Sequence, residues 1–281
     1  MCAFESLEPM EMPAATLIRR AAFALVLATF GAALGTPVLA QAQKAPAAPA
    51  YEPHSGQEGK DVVWVPTPQI LVDKMLDMAK LVPSDFVMDL GSGDGRTVIT
   101  AAKRGARALG VEYNPDMVEL SRRSAAKEGV SAKATFVKAD LFETDFSQAT
   151  VITMFLLPDI NLKLRPKILG LKPGTRIVSN SFTMAEWEAD EKTVLTAETG
   201  CNTSWCTALL WIVPARVAGT HQTAQGELTL KQEFQMLSGT LAAAGKTFAI
   251  EGGRVRGEEL SFKAGGKEYR GRMNGKTLEL R

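Results

Sequence analysis

Asp89-Leu-Gly-Ser-Gly-Asp-Gly95 is the stretch that decides how this chain folds. It follows a short apolar run, Phe86-Val-Met-Asp-Leu90, which reads as a strand with an acid near its end. It precedes a stretch, Arg96 to Arg104, whose Val98, Ile99 and Ala102 share one helical face before Gly105 stops it. Glycines in such a turn adopt positive φ and let backbone approach a ligand closely. In open α/β sheets, ligands bind at the carboxyl ends of the strands. A dinucleotide turn has the spacing Gly-x-Gly-x-x-Gly. Here Arg96 holds the last of those positions, and the glycines run Gly-x-Gly-x-Gly. No Gly-Lys-Ser/Thr phosphate loop is present in this turn either.

Strands and helices alternate outward from the turn. Trp64-Val-Pro-Thr-Pro68 leads into a helix whose Leu71, Met75, Met78 and Val82 recur at helical spacing, with Thr67 expected at the N-cap and Pro68 at the first helical position. Ala108 to Tyr113 is a second strand, and Asn114-Pro115 caps the next helix. Asp116 sits in that helix's first turn and Arg122, Arg123 and Lys127 lie toward its end, matching the macrodipole. Ala134 to Ala139, Val151 to Leu157 and Arg176 to Ser179 read as strands three, four and five. Thr193 to Glu198 and Ala208 to Val213 read as an antiparallel pair completing the sheet. The βαβα rhythm predicts a parallel sheet covered on both faces, an α/β fold of the Rossmann-like kind.

Two more acids sharpen the reading. Glu112 closes the second strand, where a carboxylate can accept from both ribose hydroxyls. Asp140 closes the third, where it can accept from an adenine amino group. With Asp89 on strand one, the three acids suit a charged amino acid, a ribose and an adenine laid across the sheet; the alternative is that each acid only caps the helix that follows it.

Asp89 to Gly95, Glu112 and Asp140-Leu141 resemble the motifs of the class I S-adenosylmethionine (SAM)-dependent methyltransferases. The resemblance covers about residues 62–213. It implies a seven-strand sheet with a reversed final strand, SAM as cofactor, Gly91, Ser92 and Gly93 at its methionine part, Glu112 at the ribose and Asp140 at the adenine. Within that class, Trp64-Val-Pro-Thr-Pro68, Glu112-Tyr-Asn114 and Met154-Phe-Leu-Leu-Pro158 resemble small protein-lysine methyltransferases whose relatives act on membrane-embedded mitochondrial proteins. That narrower likeness implies that Pro66 and Thr67 help close over SAM. It adds Tyr113 and Asn114 to the cofactor site, to which the class I motifs already bring Gly95 and Leu141. It also puts Met154 to Pro158 where many amino-methylating enzymes carry an Asn/Asp-Pro-Pro-Tyr loop.

Methyl transfer from a sulfonium asks the enzyme to desolvate and align a neutral nucleophile. Trp64, Phe155, Leu156, Leu157 and Pro158 are the expected walls of the acceptor pocket, with burial in the fourth strand as the alternative for Leu156 and Leu157. No general base is assignable. His54 and His221, the two histidines, read as exposed or structural, and Cys201 and Cys206 do not have the spacing of a zinc site. The two cysteines either pair or are two small buried hydrophobes.

Both ends differ from the middle. Arg19-Arg20, the apolar run Ala21 to Phe30 and Pro37-Val-Leu-Ala40 have the three parts of a secretory signal, or of an uncleaved anchor, over residues 1–40. Either predicts export or membrane anchoring, on the periplasmic side in a bacterium. Residues 41–61, rich in Ala, Pro, Gln and Gly, read as a linker ahead of a domain at 62–213. From Pro214 short alternating runs separated by Gly-Lys, Gly-Gly and Asn-Gly turns predict a small all-β module over 214–281, where Lys and Arg outnumber Glu. That excess serves either a solvated surface or an unknown acidic partner. The whole chain of 281 residues carries a net charge of +1, so no nucleic-acid partner is expected. Three functions stay open: methylation of a lysine or other amine on a protein, methylation of a small molecule, and a SAM-fold module kept for binding or assembly.

Overall fold

A computed structural model describes residues 51–281; the signal-like segment at 1–40 lies outside the described residues. Among the described residues no helix is long and apolar enough to cross a membrane. The first layered unit is a seven-stranded sheet in the order β3-β2-β1-β4-β5-β7-β6. Its strands are β1 (Phe86–Leu90), β2 (Arg107–Glu112), β3 (Ala134–Lys138), β4 (Val151–Met154), β5 (Arg176–Asn180), β6 (Glu191–Val194) and β7 (Thr207–Ile212). Strands β1 to β5 run parallel, and β7 is antiparallel to both β5 and β6. This is the reversed strand that the resemblance implied.

Side-chain alternation along the buried strands feeds two cores. Val87, Ala108, Val151 and Val178 pack under α1 (Gln69–Met78), α2 (Arg96–Lys103) and α3 (Pro115–Lys127) through Leu71, Val72, Leu76, Val98 and Val118. Met88, Ile152 and Ile177 pack on the other face against Ile160, Leu164 and Ile168 of α4 (Pro158–Ile168), with Trp187 and Trp211 beside them. Trp211 Nε1 donates to the Trp187 carbonyl at 2.7 Å, which satisfies one buried indole.

Several local expectations change: α1 begins at Gln69 with Pro68 at its N-cap, and it ends at Met78, so Val82 lies beyond it and is exposed. Thr67 does not cap α1; its hydroxyl accepts from Asn180 Nδ2 at 3.3 Å and its carbonyl from Arg96 at 2.9 Å, so tertiary partners hold it away from the helix. Strand β4 stops at Met154, because Phe155 to Leu157 leave the sheet to reach α4. The strand predicted at 193–198 lies at Glu191–Val194, and Thr196 and Thr199 instead form a capping box on a 3₁₀ turn. Asn114 caps α3 as read, its Oδ1 accepting from the N–H groups of Asp116 and Met117.

Residues 219–280 form a second, antiparallel sheet in the order β8 (Gly219–Thr223), β9 (Gly226–Glu233), β10 (Met236–Ala243), β12 (Glu251–Arg256), β13 (Glu259–Ala264), β14 (Lys267–Asn274), β15 (Thr277–Leu280), with β11 (Lys246–Ala249) paired to β10. β15 comes round beside β8, so the sheet curls around its own core of Leu228, Leu230, Leu241, Val255, Leu260 and Phe262. The module joins the first sheet at its β6 edge. Phe234 stacks on Trp187 with centroids 6.1 Å apart, and buried Gln235 donates to the Glu188 carbonyl at 2.7 Å. Arg254 pairs with the buried Asp190 at 2.7 Å, and Arg256 pairs with Glu191. Part of the module's basic excess is therefore spent within the chain.

Candidate functional site

A cavity of about 220 Å³ opens at the carboxyl ends of β1, β2, β3 and β4. It is lined by Asp89, Gly91, Ser92 and Gly93, by Glu112, Tyr113, Asp140 and Leu141, by Trp64, Pro66 and Thr67, and by Phe155, Leu156 and Leu157. The fold thus brings together most of the residues read from the sequence.

Backbone conformation explains the glycines. Gly91, Gly93 and Gly95 all have positive φ. Gly95 is the N-cap of α2 at φ 80°, and a Cβ there would stand 2.7 Å from both Ser121 Oγ and a Phe136 ring atom. Gly95 does not line the cavity; it lets α2 start where it does, with α3 and β3 packed against it. At Gly93 a Cβ would meet Trp64 Nε1 at 2.5 Å, so the indole lies against the glycine turn. Trp64 belongs to the cofactor end of the cavity, although the sequence reading put it among the acceptor walls.

The three acids differ in kind. Asp89 is buried, its Oδ1 accepts from Thr153 Oγ1 at 2.6 Å, and its carboxyl is pushed up to about 7. Burial is the main cause; Thr153 opposes it, and the negative charges of Asp94 and Glu112 add to it. Glu112 holds the turn itself: Oε2 accepts from Gly93 N–H at 2.8 Å and Oε1 from Asn114 N–H at 3.0 Å. Each oxygen keeps a lone pair for a ligand hydroxyl. Asp140 accepts from Phe142 N–H at 2.9 Å through Oδ1 and pairs with Lys60 through Oδ2. The Lys60 ammonium beside it holds its carboxyl below the usual range. Lys60 also stands 4.9 Å over the Tyr113 ring, which brings a residue read as linker to the mouth of the site.

Arg96, informative in the sequence only for what it excludes, ties the site together. Its guanidinium pairs with Asp94 at 2.6 Å and donates to the Thr67 carbonyl, fixing the 64–67 segment over α2's first turn. Asn114 and Pro158 support the site without lining it, the first capping α3 and the second beginning α4. Leu156 is buried, whereas Leu157 is exposed at the α4 N-cap.

Sequence reasoning missed Phe182 and Trp205, which line the same cavity. Phe182 follows β5, and Trp205 lies in a six-residue loop closed by a disulfide between Cys201 and Cys206. The two cysteines pair, which settles the alternatives that their spacing left open. Replacing both by Ala is expected to cost about 2 kcal/mol of stability for so short a loop. Urea unfolding would measure it, and an unchanged midpoint would mean that the bridge contributes nothing.

The residues present fit a nucleoside bearing an amino acid. Ser92 lines the cavity with its hydroxyl against Gly110 and, among the described residues, without a hydrogen-bond partner; Asp89 adds a buried carboxylate short of positive charge, and Glu112 lines the cavity at the end of β2. A seven-stranded sheet with a reversed strand and this glycine-acid constellation defines the class of SAM-dependent methyltransferases.

Known proteins agree with this class. A family model described as the ANTKMT methyltransferase domain matches residues 89–191. A protein-lysine N-methyltransferase of Saccharolobus islandicus is 45% identical over 144 residues, which span 50% of this chain and 85% of that one. A human lysine N-methyltransferase named for a component of ATP synthase is 36% identical over 143 residues, or 50% of this chain and 59% of that one. Among solved structures, an RNA methyltransferase of Salinibacter ruber in complex with S-adenosyl-L-homocysteine superposes with a TM-score of 0.50 at 42% identity, over 54% of this chain and 96% of that one. The chain belongs to this methyltransferase family, with SAM as its cofactor.

Proposed function

We propose that this protein methylates the ε-amine of a lysine on a protein substrate, one that is membrane-associated. The observation that carries the reading is the chemistry of the cavity from β4 onward: Met154, Phe155, Leu156, Leu157 and Ile160 are all apolar. Bound SAM supplies an electrophilic methyl group. A lysine must meet it as the neutral amine, and an apolar wall favours that form by withholding solvation from the ammonium. Asp89, Ser92 and Gly93 hold the amino-acid part, Glu112 and Asp140 hold the nucleoside, and Pro66 with Thr67 excludes water from above. Alignment and desolvation, rather than a protein base, are what these side chains contribute.

The lysine assignment is supported by the names of the archaeal and animal relatives, and the membrane-associated substrate by relatives named for ATP synthase and for the adenine nucleotide translocase. The Salinibacter protein is described as acting on RNA. The deciding experiment incubates the purified full chain and radiolabelled SAM with membrane proteins, soluble proteins and RNA. Label on lysine of a membrane protein is expected. Label confined to RNA or to soluble proteins would overturn the proposal.

We further read the protein as exported or anchored. Arg19-Arg20 with the apolar run behind it supports this, and a Cys201–Cys206 disulfide suits an oxidising compartment. Fractionation of cells producing the full chain tests it, and recovery only in the cytoplasm would refute it. The β module is docked at the β6 edge through Arg254 and Arg256 and pairs Lys263 and Arg272 within itself, which leaves its other basic side chains for a partner of acidic chemistry.

A further inference from the structure

We infer that Phe155, Phe182 and Trp205 form an acceptor wall that selects an alkylammonium side chain, with Trp205 the residue that determines specificity. The inference rests on the amine-acceptor reading above and says how this chain recognises such a group.

Three rings reach one place from three separate elements. Phe155 leaves β4, Phe182 follows β5, and Trp205 comes from the disulfide loop before β7. Their centroids are 5.8 Å (Phe155–Phe182), 5.7 Å (Phe155–Trp205) and 5.3 Å (Phe182–Trp205) apart. All three are half-buried and line the cavity. Sheet order puts them opposite the nucleoside side: β2 and β3, with Glu112 and Asp140 at their ends, lie on one flank of β1, and β4, β5 and β7 lie on the other.

Local structure holds the rings where they are. Ser181 has a left-handed φ of 60°, and its hydroxyl donates to Asn180 Oδ1 at 2.8 Å. The Phe182 carbonyl accepts from Ser179 Oγ at 2.8 Å and from Asn161 Nδ2 at 3.3 Å. Strain kept by several partners marks a position the structure requires. The Trp205 loop is anchored at both ends, Leu195 N–H donating to the Cys206 carbonyl at 2.8 Å and Cys201 N–H to the Thr196 carbonyl at 3.0 Å.

The charge pattern decides what the wall is for. The acids lining the cavity are Asp61, Asp89, Asp94, Glu112 and Asp140, and each comes from the part of the chain before β4. On the aromatic side, among the described residues, no carboxylate lines the cavity. A carboxylate there would pair with the amine and keep it protonated, which would block its use as a nucleophile. Ring faces attract a cation more weakly than a carboxylate does and so bias the amine less toward its protonated form, while still holding the methylated ammonium after transfer. An aliphatic wall would do only the first.

The test uses the full chain and two probes: Nα-acetyl-Nε-trimethyllysine amide, and its uncharged isostere with carbon in place of the ammonium nitrogen. In NMR titrations the charged probe is expected to shift the Trp205 indole N–H signal, assigned by its absence in Trp205→Phe. It should bind about tenfold more tightly than the isostere. Trp205→Phe should retain most of that preference, and Trp205→Ala should lose it. Phe182→Leu, which keeps apolar volume but removes a ring face, should reduce it and carries the test if the Ala variant fails to fold. Equal affinity for the two probes, or an unchanged preference in the folded variants, would overturn the inference. A chain that prefers the charged probe but labels no lysine would retire the lysine reading alone.

Discussion

Asp89→Asn is expected to raise the thermal midpoint of the ligand-free protein at pH 8 while weakening SAM binding by about tenfold or more, as loss of a charged hydrogen-bond partner does. Both effects come from one buried carboxyl. Its folded-state value is raised from 3.8 to about 7, chiefly by burial, so between those values the folded protein holds a proton that the unfolded chain has released. The stability this group contributes is full below the unfolded value and is lost as pH rises through about 7. At pH 8 the ligand-free fold therefore keeps a buried, uncompensated charge, and Asn removes that cost while still accepting from Thr153. Each kcal/mol recovered shifts the midpoint by roughly 2–4 °C in a unit of this size.

Binding has the opposite sign. A ligand ammonium at Asp89 wants the carboxylate ionised, so wild-type affinity should rise with pH through about 7 and binding near pH 6.5 should release a proton. The Asn variant should show neither effect. Calorimetry at pH 6 and pH 8, in buffers of different ionisation enthalpy, together with melting curves, measures all of this. A lower midpoint at pH 8 would refute the charge argument. Undiminished SAM affinity would refute the ligand contact.

Glu112→Ala is expected to reduce SAM affinity on the order of 100-fold, because one side chain does two jobs and each charge-assisted bond is worth roughly 1.5–3 kcal/mol. Its oxygens hold the N–H groups of Gly93 and Asn114, so removal frees the glycine turn and loosens the start of α3 as well as emptying the ribose position. Glu112→Gln is no gentle control, since its NH₂ group faces one of the two backbone donors. It should restore one bond and lose the other, falling between Ala and wild type. Amide exchange at Gly93 and Asn114 separates the two jobs. Faster exchange with unchanged SAM affinity would leave Glu112 a structural residue and remove it from the cofactor site.

Much of this site was legible because it is local. A strand, a glycine turn and a helix occupy consecutive residues, and the turn's φ values are written in its glycines at 91, 93 and 95. Strand-end acids are found by counting from apolar runs, and so Asp89, Glu112 and Asp140 fall into one cavity as read. What those acids touch was not legible. Glu112 bonds two backbone N–H groups, and Asp140 is paired with Lys60 from a stretch that composition alone reads as linker. Thr67 has the chemistry of a helix cap, yet Asn180 and Arg96 claim it from far away in the chain.

The amino-acid order by itself determined the alternating sheet, the separate β module and the glycine turn with its strand-end acids. Each of these follows from periodicity or from residues within one strand–turn–helix unit; the reversed strand came from the family resemblance. Only the tertiary structure completed the acceptor side. Phe155 was legible from its place after the fourth strand, but Phe182 and Trp205 carry no local pattern, and the three rings become one wall because β4, β5 and β7 are neighbours in the sheet and a disulfide holds the last of them in place. A surface assembled across the sheet in this way is set by strand order, which no single stretch of sequence encodes.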